Sequence, residues 1–205
     1  MYWTVPREWE GQTAILWGGG PSVKPEQVTL AKERGWRRIG INDAGLVLDP
    51  EADVLCWGDS TWFTWNAKDL HLFKGRYRVT WRAMPSGLTS LPFHTLKHPA
   101  MPPALSWDQG AIRCNNSGHG ALNLAILFGA KRILLIGFEM KPVGGKAHWH
   151  RRHQVSCGPS QYVDHYAPAM VKAAKELQGT GIEVINCTPD TMLKCFPKGK
   201  LEDIR

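Results

Sequence analysis

Residues 115–140 read NNSGHGALNLAILFGAKRILLIGFEM: a loop, a helix, a tight turn, a strand and an acid. Asn116 or Ser117 is placed to cap a helix by accepting hydrogen bonds from its first free N–H groups. Ala121, Leu122, Leu124, Ala125, Ile126, Leu127 and Phe128 leave almost no polar face, as in a helix buried inside a layered domain. Gly129 suits the left-handed position that ends such a helix. After the surface pair Lys131-Arg132 comes Ile133-Leu134-Leu135-Ile136. An unbroken apolar run predicts a parallel strand covered on both faces, because a half-exposed strand would alternate. Gly137-Phe138-Glu139 then marks the carboxyl end of that strand, the edge where open α/β sheets bind ligands. The apolar residues are scaffold. Function is expected at the two polar ends, 115–118 and 137–139.

Upstream, Thr13–Trp17 is a short apolar strand that runs into Gly18-Gly19-Gly20-Pro21-Ser22. Three glycines let a backbone approach a ligand, with N–H groups facing an anion. A plain tight turn is the competing reading. The spacing is neither a dinucleotide fingerprint nor a P-loop. Pro25 suits the first turn of a helix over 25–34. Arg38–Ile41 and Val54–Trp57 are further strands, ending in Asn42-Asp43-Ala44 and Gly58-Asp59-Ser60. Parallel pairing would gather these polar ends, with Gly137–Glu139, at one edge. Arg76–Trp81 is a fourth strand. Residues 84–110 are rich in Pro, Ser and His without periodicity, which predicts a loop or lid insertion.

Downstream, residues 141–166 form an irregular segment holding His148, His150, His153 and His165 with Lys141, Lys146, Arg151 and Arg152. No carboxylate or cysteine stands at a standard zinc spacing from these histidines. A basic, histidine-bearing flap over an anionic substrate is favoured over metal binding, and a solvated basic loop is the bland alternative. An amphipathic helix over 168–178, a strand over 182–185 and a single helical turn over 191–195 complete the chain. The expected fold is one Rossmann-like α/β sandwich over 1–205, with a mainly parallel sheet and loop or lid insertions at 84–110 and 141–166.

The chain has 205 residues, enough to bury a full core, and is 43% hydrophobic with a formal charge of +7. That balance favours anionic ligands: phosphate esters, nucleotides or nucleic acid. Of ten tryptophans, Trp57, Trp62, Trp65 and Trp81 flank polar residues and could stack on a ligand as well as fill a core. Five scattered cysteines without a CxxC pair predict reduced thiols and a cytoplasmic protein. No signal pattern and no run of membrane-spanning length stands in the sequence.

Taken in order, the glycine loop, the strand-end Asn, the Asn-Ser-Gly that opens an apolar helix, the Gly-Phe-Glu, the histidine flap and the final strand followed by Cys187-Thr188-Pro189 resemble the bacterial sialyltransferases of glycosyltransferase family 42. The set also resembles hydroxymethylpterin pyrophosphokinase-like proteins and, in length, small phage or prophage proteins. The first resemblance implies a metal-independent transferase on a nucleotide-binding α/β sandwich, using a cytidine monophosphate sugar donor. It places Gly18, Gly19, Gly20, Pro21, Ser22, Asn42, Asp59, Asn116, Ser117, Gly118 and Glu139 around the nucleotide. Gly19 replaces the family's Asn, and Gly58-Asp59-Ser60 stands for its Asn-Pro-Ser. His165 matches the general base. The family's phosphate-holding tyrosines have no match; Lys141 stands where one is expected, and Lys141, Arg151 or Arg152 would contact the leaving group.

The expected function is therefore transfer from an activated nucleotide donor, with a nucleotide or nucleotide sugar as partner and no required cofactor. Two alternatives stay open. One is a Mg-dependent pyrophosphokinase or nucleotidyl-type transferase using carboxylates such as Asp43, Asp59 or Glu139. The other is a non-catalytic nucleotide or nucleic-acid binder, for which no groove-reading motif is present. Homo-oligomers are compatible with either.

Overall fold

The computed structural model describes residues 2–100, 104–150 and 158–205. Its strands are β1 (Thr13–Trp17), β2 (Arg37–Ile41), β3 (Val54–Trp57), β4 (Tyr77–Thr80), β5 (His94–Thr95), β6 (Arg132–Ile136) and β7 (Glu183–Asn186). They form one seven-stranded sheet in the order β5-β4-β3-β2-β1-β6-β7, with parallel neighbours throughout. The main helices are α1 (Pro25–Glu33), α2 (Ser60–Asn66), α3 (Ser117–Phe128) and α4 (Ala167–Glu176). This is the α/β, Rossmann-like architecture expected.

Both faces of the sheet are covered, which is why its central strands do not alternate. Ala14 and Leu16 of β1, with Ile133 and Leu135 of β6, pack in the same core as α3. Ile15, Trp17, Leu134 and Ile136 point the other way, into a core shared with Val28 and Ala31 of α1. A third cluster joins Leu55 and Trp57 of β3 to Trp62 and Phe63 of α2. The N-terminal arm lies on the domain: Trp9 stacks on Phe128 with ring centroids 4.1 Å apart, and Trp3 N–H donates to the Thr95 carbonyl.

Helix α3 is buried on all sides from His119 to Phe128. Asn116 is its cap, its side chain accepting from His119 N–H at 2.9 Å, and Gly129 closes it at φ 97°. Asn123, fully buried, accepts from the N–H groups of Ser106 and Arg113 and donates to the Ser106 carbonyl. One helical side chain thus fixes part of the irregular 84–110 segment and the approach to α3.

Several elements differ from the sequence expectation; residues 159–166, expected to be irregular, are helical and lead into α4. Residues 84–110 contain the short edge strand β5, too brief for a periodic signal. Helix α2 starts at Ser60, capped by Asp59, whose carboxylate accepts from Thr61 N–H at 2.8 Å. Residues 191–195 are not a helical turn. Thr191 Oγ1 accepts from Leu193 N–H and donates to the Phe138 carbonyl, holding an irregular loop beneath the end of β6.

Burial holds His119 neutral, pushing its pKa from 6.5 down to about 4. Between those values the unfolded chain binds a proton that the folded chain refuses. Stability therefore falls as pH falls through this window, by up to roughly 3 kcal/mol at pH 4. Urea unfolding at pH 7 and pH 4 measures the loss, and His119→Phe should flatten that part of the profile.

Candidate functional site

A cavity of about 710 Å³ opens at the carboxyl ends of the strands. It includes residues from the ends of β1 and β6, between which the strand order reverses. Such switch points are the usual ligand crevice of open α/β sheets, and the volume suits a nucleotide-sized ligand. Gly18, Gly19 and Gly20 line it from β1, Asn42 and Asp43 from β2, Asp59 from β3 and Arg82 from beyond β4. Asn116, Ser117 and Gly118 face it from the start of α3, Glu139 and Lys141 from beyond β6, and His148 and His150 from the flap.

Within the glycine loop, the amides of Gly18 and Gly20 are used inside the protein rather than offered to an anion. Gly18 N–H donates to the Ile136 carbonyl at 2.8 Å, and Gly20 N–H to the Gly137 carbonyl at 3.1 Å. Ser22 N–H donates to Glu139 Oε1 at 2.7 Å, and Pro21 has no N–H to offer. Neither Pro21 nor Ser22 is on the cavity wall. Gly18 and Gly20 serve close packing against the end of β6. A Cβ at Gly18 would lie 2.4 Å from the Gly137 carbonyl oxygen, and one at Gly20 would lie 1.5 Å from Glu139 Oε2. The Gly19 carbonyl faces the flap, accepting from Trp149 N–H at 3.1 Å with His148 Nδ1 at 3.3 Å.

The electropositive side of the cavity is the start of α3. The first N–H groups of a helix lack intrahelical partners, and its dipole favours negative charge there. Ser117 Oγ accepts from Gly58 N–H at 3.3 Å, which leaves the hydroxyl hydrogen to donate elsewhere. Arg82 is exposed on the cavity wall and forms no ion pair among the described residues. Lys141 differs: its Nζ is 2.5 Å from Asp190 Oδ1, and that hydrogen bond holds the Asp190 carboxyl below its usual range. Tyr162 and Tyr166 line the same cavity from a π-helical turn leading into α4, their rings 5.7 Å apart.

The ends of β2 and β6 contribute acceptors. Asp43 is 2% exposed; its Oδ2 accepts from Trp62 Nε1 at 2.8 Å and lies 3.9 Å from His150 Nε2. Glu139 is 3% exposed, and its second oxygen has no hydrogen-bond partner among the described residues. Nor has Oδ1 of Asn42, whose backbone sits at φ 55°, a conformation asparagine tolerates better than most residues. Buried acceptors are normally satisfied, so two orphans beside one cavity need a partner.

His165 is exposed and not on the cavity wall, although its carbonyl accepts from the Asn115 side chain at 2.5 Å. Arg151, Arg152 and His153 lie outside the described residues. Among the described residues no group of three or more His, Cys, Asp or Glu is placed to hold a metal ion, and no helix is long and apolar enough to cross a membrane. Cys56, Cys114, Cys187 and Cys195 are free thiols; burial pushes Cys187 up to about 12 and Cys56 and Cys114 higher still. Trp57, Trp62 and Trp81 are core residues, and of these Trp81 also borders the cavity. The sequence reading passed over Arg82, Tyr162 and Tyr166. Arg82 follows a strand, as the other site residues do, and the tyrosines stand four apart, on one face of a helix.

No family model and no curated protein matches the sequence. Among solved structures the chain is similar to one described as a MAf glycosyltransferase from Magnetospirillum magneticum AMB-1. The TM-score is 0.71 at 12% identity, over 100% of this chain and 36% of that one. The likeness is one of fold.

Proposed function

We propose that the protein transfers a glycosyl group from a nucleotide-activated donor to a hydroxyl acceptor. The observation that carries this reading is the lining of the cavity: a helix N-terminus and Arg82 together with buried unsatisfied acceptors at the ends of β2 and β6. A nucleotide matches such a lining, with anionic phosphate at one end and hydroxyl and amino donors at the other. The phosphate takes the Ser117 hydroxyl, the first amides of α3 and the Arg82 guanidinium. Asn42 and Glu139 accept from ribose or sugar hydroxyls. Phosphate held this way leaves more readily, because fixed donors meet the charge that grows on it. The fold likeness to a glycosyltransferase supports the reading.

Arg82, rather than Lys141, is the main cation for the phosphate. Arg82→Ala should weaken nucleotide binding by roughly 1.5 kcal/mol, about tenfold, while Lys141→Ala, already paired with Asp190, changes it by less than about threefold. Calorimetric titration of cytidine, uridine, guanosine and adenosine monophosphates into the two variants checks this.

The activity test is release of free nucleotide from CMP-N-acetylneuraminate, UDP-N-acetylglucosamine and GDP-mannose, with and without chelator. Turnover that persists in chelator supports the proposal. Turnover that requires magnesium redirects it to pyrophosphoryl or nucleotidyl transfer. No turnover and no nucleotide binding overturn it.

A further inference from the structure

We propose that the protein takes an anionic acceptor, a saccharide bearing a carboxylate or a phosphate, and that Lys141, Lys194 and Lys198 hold that charge at the rim of the cavity. This rests on the transferase reading above and names the class of its second substrate. The rim is the irregular loop that follows β7. Its anchors are buried: Thr188, Thr191 and Leu193 are no more than 3% exposed, while Asp190, Met192 and Lys194 face solvent. The two threonines fasten it to the end of β6. Thr188 Oγ1 accepts from Phe138 N–H at 3.0 Å, and Thr191 Oγ1 donates to the Phe138 carbonyl at 2.7 Å. Met192 N–H donates to the carbonyl of Glu139, a cavity residue, at 2.9 Å.

The lysines gather on this loop. Lys141, on the cavity wall, reaches Asp190 Oδ1 at 2.5 Å. Lys198 is fixed by backbone pairing with Asn186, and its Nζ donates to the Pro189 carbonyl at 2.5 Å. Lys194 acts on the same Asp190 carboxylate, which is held below its usual range by the Lys141 hydrogen bond most of all. A solvated basic face spreads its like charges apart, because they repel. Here two of the three ammonium groups are tied to adjacent residues, 189 and 190, beside the cavity. Charge at a cleft raises the local concentration of oppositely charged substrate. The nucleotide phosphate has its own donors in Arg82 and the start of α3, so this charge is left for the acceptor. With its hydroxyl in the cavity, an acceptor brings its oxyanion to the rim. There it meets Lys194 and Lys198 and competes with Asp190 for Lys141. Met192, 39% exposed, offers the acceptor's carbon skeleton an apolar contact.

The experiment titrates galactose, galacturonate and galactose 6-phosphate at low salt, followed by amide NMR, into the protein alone and with each nucleotide monophosphate present. Both anions should bind at least about tenfold more tightly than galactose and shift the amides of Asp190 and Met192. Lys194→Glu combined with Lys198→Glu should abolish that preference and leave galactose and monophosphate binding within about twofold. Asp190→Asn removes the competing carboxylate and should tighten both anions by about threefold, a gain that a purely structural loop would not give. Lys131→Glu, the same charge change beside the start of β6, should alter anion binding by less than about twofold. A preference for only one of the two anions supports the proposal and identifies the group that the acceptor carries. Equal affinity for all three sugars, or a preference retained in the double variant, overturns the proposal and leaves the transferase reading standing. A single-stranded oligodeoxynucleotide that binds these lysines more tightly than either anionic sugar assigns the rim to nucleic acid and overturns it too. Intact anion selectivity without binding of any monophosphate overturns the transferase reading instead.

Discussion

Gly18→Ala should lose about 3–4 kcal/mol of stability and with it most of the folded protein at moderate denaturant. The new methyl would stand 2.4 Å from the Gly137 carbonyl oxygen and 2.9 Å from its carbon. Both are backbone atoms, so no rotamer change relieves the contact. That carbonyl also receives the Gly20 N–H, and Gly18 N–H donates to the Ile136 carbonyl next door. Moving β1 away from β6 would therefore strain a ladder that runs from Thr13↔Arg132 to Trp17↔Ile136. Overpacking at a side-chain contact typically costs about 1–3 kcal/mol, and a contact with fixed backbone belongs at or above the top of that range. Gly19→Ala is the control. Its methyl would meet the His148 ring, a flexible neighbour at 3.1 Å, so stability should change by less than about 1 kcal/mol. Urea unfolding of the three proteins separates the outcomes; equal stability of Gly18→Ala and wild type would refute the packing role assigned to the loop.

Arg38→Met should cost about 3–5 kcal/mol, because it strands a buried carboxylate. Asp49 is 1% exposed, with its Oδ2 3.0 Å from Arg38 Nε and 3.0 Å from Trp17 Nε1. Burial raises the Asp49 carboxyl above its usual range, and Arg38 is the strongest opposing influence. Without the guanidinium the carboxylate must protonate or remain an uncompensated charge under β1. The double variant Arg38→Met with Asp49→Asn removes that charge and keeps an acceptor for Trp17. It should recover most of the loss, which denaturant midpoints of the two variants would show. If the double variant is no more stable than the single one, the cost comes from lost packing of the long arginine stem instead.

Much of the fold is legible in 115–140 and in the four strand ends. The runs Ala14–Trp17 and Ile133–Ile136 carry no alternation because both sheet faces are covered, and that pattern alone implies parallel strands and a ligand edge. The short edge strand β5 has two residues and no pattern to read. The region 191–195 looks helical by composition, but Thr191 bonds to backbone groups instead, a competition that serine, threonine and asparagine often win.

The site is partly legible in the same way. Residues at the ends of β1, β2, β3 and β6 converge, as parallel pairing requires. What sequence could not supply is how the amides of 18–22 are used, since that depends on β6 lying beside the loop. The pairing of Lys141 with Asp190, 49 residues away, is equally invisible, and so is the one between His150 and Asp43. Each joins groups brought close only by the fold, and each changes which residue is available to a ligand.

The central claim, that the cavity at the β1–β6 edge binds a nucleotide with its phosphate at the start of α3, is tested most directly by amide NMR during titration with cytidine, uridine, guanosine or adenosine monophosphate. The account predicts saturable shifts for Ser117 and Gly118, with smaller ones for Gly19 and Glu139, and attenuation of all of them in Arg82→Ala. Shifts confined to a different surface, such as the groove bordered by Arg7, Trp107 and Lys131, or no saturable shift with any of the four nucleotides, would contradict it.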